Sequence, residues 1–174
     1  MILNQQREVR VAKRPLESFL RRVKRELGLK QSEVTVCLVS DRAMAKLNQK
    51  FRKKKGPTDV LSFPQENSYS PLATRLPRVP PRGHSPLRRR KARKTANLGK
   101  QPRLENSGTT HLGDIAISPA TAGCYAKKNG RLLASELRVL ILHGVLHLLG
   151  YDHETDQGEM DRIEQNLRSR FGLK

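Results

Sequence analysis

Three histidines pose the first chemical question. His143 and His147 stand four residues apart in an apolar run, and His153 follows after Gly150, Tyr151 and Asp152. On a helix a spacing of four puts both imidazoles on one face, one turn apart, where they can share a metal ion. Gly150 supplies the left-handed residue that stops such a helix, and the turn beyond it lets His153 swing back as a third ligand. Three neutral imidazoles leave one coordination position open, as in catalytic rather than closed structural zinc. An ion held this way acidifies water toward a pKa of ~7 and can polarise a phosphate oxygen. One histidine on an apolar helix is ordinarily a core residue, but three at this spacing with a helix stop in place point to metal.

The pattern H-x-x-x-H-x-x-G-x-x-H is also that of metzincin peptidases, which carry a general-base Glu directly after the first His. Gly144 occupies that place. It has no side chain to move a proton, so peptidase chemistry is disfavoured. Asp114, Asp152 and Glu154 are candidates for proton transfer; Asp114 and Asp152 could equally orient a ligand histidine, and Glu154 could open a last helix. Nothing in the spacing joins His84 or His111 to the triad.

The elements that must position these residues alternate in type. Ile2 to Asn4 reads as a short strand. Leu16, Phe19, Leu20, Val23 and Leu27 recur at helical spacing between Pro15 and Gly28. Val34 to Val39 is apolar on both faces, a buried strand. Ser40 or Asp41 caps a helix whose Met44, Leu47 and Phe51 share one face. Thr58 to Phe63 and Leu112 to Ile117 read as strands, and Ser118-Pro119 starts a helix. Helices are expected near Ala120 to Lys128 and Arg131 to Leu149. A final amphipathic helix carries Met160, Ile163, Leu167 and Phe171, with Asp156 and Glu159 as a capping box. Cys37 reads as core and Cys124 as a small buried helix residue. The expected fold is α+β: one domain with a small mixed sheet flanked by helices, and the three-His metal site at the end of a buried helix.

The 174 residues suit one domain and carry a net charge of +19. Such a charge favours polyanionic partners. The stretch at about 64–110 holds seven of the ten prolines and 11 basic against 2 acidic residues, including the run Arg88 to Lys94. It reads as a basic, Pro-rich, disordered insertion inside the single domain spanning 1–174, with nucleic-acid contact its favoured role. Two cysteines and no CxxC fit a reducing cytosol. Met1 to Arg10 lacks the apolar core of a signal peptide, and no apolar run nears the ~20 residues of a membrane span. A soluble cytoplasmic protein with no membrane partner is expected.

At this point the chain resembles a known family. His143 to His153, HGVLHLLGYDH, resembles the signature of the YbeY family of rRNA-maturation endoribonucleases. Phe51 to Pro64, FRKKKGPTDVLSFP, is similar to that family's second motif, Leu112 to Ile115 to its third, and Val34 to Asn48 to its early strand–helix pattern. The resemblance implies one zinc ion per chain on His143, His147 and His153, and Arg52 facing it across a basic cleft. It implies a single-strand-specific endoribonuclease acting in 16S rRNA 3′-end maturation and ribosome quality control. Single-stranded rRNA and the small ribosomal subunit are then the partners, with ribosomal proteins or an assembly GTPase as further ones. The competing reading is a non-catalytic RNA- or ribosome-binding factor with a structural zinc. Arg52 by itself reads as one basic surface residue among several in Arg52 to Lys55, and the insertion departs from the family's short connection.

Overall fold

A computed structural model describes residues 1–65, 110–153 and 156–173. Four strands, β1 (Ile2–Asn4), β2 (Ser32–Leu38), β3 (Val60–Pro64) and β4 (Thr110–Ile117), form a sheet in the order β1-β2-β4-β3. β1, β2 and β4 are parallel, and β3 runs antiparallel on the β4 edge. The described helices are α1 (Lys13–Glu26), α2 (Asp41–Arg52), α3 (Pro119–Lys128), α4 (Leu133–Leu148) and α5 (Glu159–Phe171). This is the α+β arrangement read from the sequence. The insertion expected at about 64–110 lies, apart from its ends, outside the described residues, as does Glu154.

Strand alternation sorts the side chains into two layers. Val34, Val36 and Leu38 of β2 and Ile115 and Ile117 of β4 face a large core shared with α1, α4 and α5. Cys37 and Ala116 face the other side, where Met44 and Leu47 of α2 cover them. Val34 to Val39 is therefore not equally buried on both faces. The α2 layer is thin, and Thr35 and Cys37 stay half-buried beneath it. α4 is apolar nearly all round because it is the central helix, touching the sheet, α1, α3 and α5.

Three local features differ from expectation. Cys124 is exposed, on the outer side of α3, whose buried side is Ala122 and Ala126. Phe51 is also exposed, because α2 ends one residue later and its last turn has left the core. Asp156 does cap α5, accepting from Gly158 N at 2.7 Å and Met160 N at 2.8 Å, but Gly158 occupies the N-cap position, so Glu159 opens the helix and no capping box forms.

Between β2 and β4 the register skips Leu112, a bulge that puts Gly113 beside Val34. Gly113 has φ +140, and a Cβ there would lie 2.2 Å from Phe63 O and 2.9 Å from a Leu148 methyl. Only glycine lets β3, β4 and the end of α4 meet this closely.

Candidate metal centre

His143 and His147 project from the C-terminal half of α4. A Schellman turn ends the helix: Gly150 (φ +89) donates to His147 O at 2.9 Å and Tyr151 donates to Leu146 O at 3.2 Å. That turn brings His153 back over the helix end. One ring nitrogen from each of the three histidines lies within 4.8 Å of the others. The Nε2 atoms of His143 and His147 are 3.1 Å apart. Tetrahedral zinc with bonds of about 2.0–2.1 Å separates its nitrogens by about 3.3 Å, close to the spacing of the His143–His147 pair.

The protonation state suits ligation as well. Burial, followed by the neighbouring His143 and His153, holds the His147 pKa below the usual value, against an opposing pull from Asp152. A neutral imidazole offers the lone pair that a metal needs.

A carboxylate from α5 orients the site. Glu164 Oε2 sits 2.9 Å from His143 Nδ1, and its Oε1 sits 2.6 Å from Arg168. Burial alone would push the Glu164 pKa up, but the His143 hydrogen bond and charge, with Arg168, hold it below the ordinary value. An ionised Glu164 accepting from Nδ1–H favours, in a neutral ring, the tautomer whose lone pair is on His143 Nε2, the atom nearest His147. Sequence reasoning missed Glu164. Its signal was a carboxylate four residues after Met160, inside the stripe that α5 buries.

Asp152 lines the cleft with the histidines. Asp114 does not reach the three histidines in this way: it lies exposed on β4 and pairs with His111 at 3.3 Å. Gly144 faces the sheet. A Cβ on it would meet Ile115 side-chain atoms at 2.8 and 2.9 Å, and its carbonyl accepts from Ser62 Oγ at 3.5 Å. The peptidase glutamate is thus also disfavoured by packing, since a Cβ at this position would have to displace the Ile115 side chain.

Arg52 is the last residue of α2, followed by Lys53 in the left-handed conformation (φ 57). Buried Asn48 pins the loop beyond by donating to Gly56 O at 2.9 Å. Arg52 and Phe51 of α2 and Phe63 of β3 line the same cleft as the three histidines, a space of ≈ 540 Å³. The structure thus gathers all four sequence-predicted site residues around one opening.

Comparison with known proteins agrees with this arrangement. The family model described as Endoribonuclease YbeY matches residues 1–172. A protein of that name from Koribacter versatilis is 34% identical over 173 residues, covering 99% of this chain and 86% of that one. Another from Aquifex aeolicus is 31% identical over 156 residues, covering 90% and 79%. The solution structure of a Thermotoga maritima protein, 23% identical, superposes with a TM-score of 0.54 over 99% of this chain and 90% of that one, a likeness of fold.

Proposed function

The chain belongs to the Endoribonuclease YbeY family, and from that premise we propose that it is a zinc-dependent endoribonuclease cutting single-stranded RNA. The reading places it in 16S rRNA 3′-end maturation and ribosome quality control, with the small ribosomal subunit as its setting and ribosomal proteins or an assembly GTPase as further partners. The cytoplasm is the proposed compartment. Among the described residues no helix is long and apolar enough to cross a membrane. The domain is proposed to run through 1–174, interrupted by the basic segment at about 64–110.

The observation that carries the reading is the shared cleft, lined by the three clustered histidines and by Arg52. His143, His147 and His153 would hold one zinc ion per chain, which would supply Lewis acidity toward a phosphodiester and toward water. Arg52 would bind the phosphate through charge-assisted hydrogen bonds and stabilise the charge that builds during cleavage. Glu164 keeps His143 in the ligating tautomer. Gly144 supplies no base, which separates this site from peptidases of the same histidine spacing. The open cleft and the relatives' naming both favour an enzyme over a binding factor with structural zinc.

The test is metal content measured alongside cleavage of a single-stranded rRNA fragment, for wild type and Arg52→Ala. About one zinc per chain in both proteins is expected, with the variant slowed on the order of 10²–10³-fold. Zinc-loaded wild type that binds RNA but never cuts it would return the protein to the binding-factor reading.

A further inference from the structure

Phe51 is 53% exposed, a large apolar ring left facing water in a protein with few aromatic residues. Sequence periodicity places it on the core face of α2 beside Met44 and Leu47, yet in the structure it lines the cleft next to Arg52. Phe63 of β3 props it edge-on, with ring centroids 4.9 Å apart at 68°. The ring is thus supported by Phe63 while about half of the residue's surface stays exposed. Lys50 Nζ lies 5.1 Å from its centroid. That contact is weak at an exposed site, and an exposed lysine gives it up readily, because the ammonium returns to water.

The geometry points to Phe51, propped by Phe63, as a stacking platform for one unpaired nucleobase of the RNA whose phosphate Arg52 holds. The inference rests on the ribonuclease reading and deepens it. Adjacent residues of one helix end, Phe51 and Arg52, would grip the base and the phosphate of neighbouring positions on a strand. Aromatic faces bind any base, so the platform is tolerant of sequence. A base inside a duplex is covered on both faces by its neighbours and has none to offer, which gives a physical basis for single-strand preference. Phe51 is then a positioning residue, acting on the base rather than on the reacting atoms.

The experiment is a double-mutant cycle on zinc-loaded protein: wild type, Phe51→Ala, Phe51→Leu and Phe51→Tyr against a single-stranded RNA and its copies carrying one abasic ribose near the cut. Affinity is read by anisotropy, and cleavage as separate KM and kcat. Phe51→Ala and Phe51→Leu are expected to weaken binding between about fivefold and a hundredfold, mostly in KM, while Phe51→Tyr restores it. Removing the stacked base should produce the same loss in wild type and no further loss in Phe51→Ala. A 2-aminopurine at that position should be quenched by wild type and by Phe51→Tyr, but not by Phe51→Leu. Unchanged affinity in Phe51→Ala, or losses that simply add, overturns the platform while leaving the ribonuclease reading intact. A wild type that neither binds nor cuts single-stranded RNA overturns both.

Discussion

At the residue scale, the least legible member of the site is the most informative. Glu164 lies 21 positions from the histidine it orients, and no spacing rule links α5 to α4. The two histidines on α4 could be read because a helix fixes their relation within one turn. Glu164 needed the packing of two helices. Replacing it with Gln should keep the shape but lose the charge that favours the ligating tautomer, lowering metal affinity about tenfold in a competitive chelator titration. An unchanged affinity would mean the carboxylate serves only Arg168. Acid acts on the same groups. His147 and Glu164 both have pKa values lowered in the fold, so each binds fewer protons folded than unfolded. Their contribution to stability is present at neutral pH. It begins to fall below about pH 6.5 for His147 and below about 4.3 for Glu164. The thermal midpoint of metal-free protein should therefore drop across that range, and a flat profile would contradict both assignments.

At the element scale, close backbone approach governs. Two glycines let α4 lie against the β3–β4 edge, and each makes a graded prediction. Gly144→Ala pushes a methyl into buried Ile115 and should destabilise by about 1–3 kcal/mol in urea unfolding. Gly113→Ala adds a backbone clash at 2.2 Å and an unfavourable φ, so its urea midpoint should fall further. The reverse order would show that the bulge relaxes more easily than the helix–sheet contact. A second tie sets α2 in place: Asp41, at its first turn, accepts hydrogen bonds from Ser118 and from Thr121 at 2.7 Å, joining the N-termini of α2 and α3. These elements were largely visible in the sequence as periodicity, caps and stops. Their exposed ends were not. Periodicity assigns Phe51 to an apolar face and Cys124 to a helix, but it cannot say where that face outruns the core or which side of α3 the core occupies.

At the scale of the whole molecule, charge dominates. With +19 on 174 residues, affinity for single-stranded RNA should fall steeply with salt, the logarithmic slope reporting about 0.7 per phosphate neutralised. Removing Arg88 to Lys94 should flatten that slope if the run touches phosphates, and an unaltered slope would take it off the binding surface. Composition gave this expectation before any fold was known, because counterion release depends on how many charges meet the strand. Composition could not give the order β1-β2-β4-β3, which brings β3, the strand bearing Phe63, to the edge beside the histidines. That ordering depends on long-range pairing.

The Schellman turn has a temporal consequence. His143 and His147 ride on one buried helix, whereas His153 sits exposed beyond the turn. Two of the three imidazoles are thus set by a buried helix and the third by the turn that follows it. An arriving ion would meet the fixed pair first and be fastened by His153 second, and it would leave in the opposite order. Release would then begin at the exposed turn rather than at the buried helix.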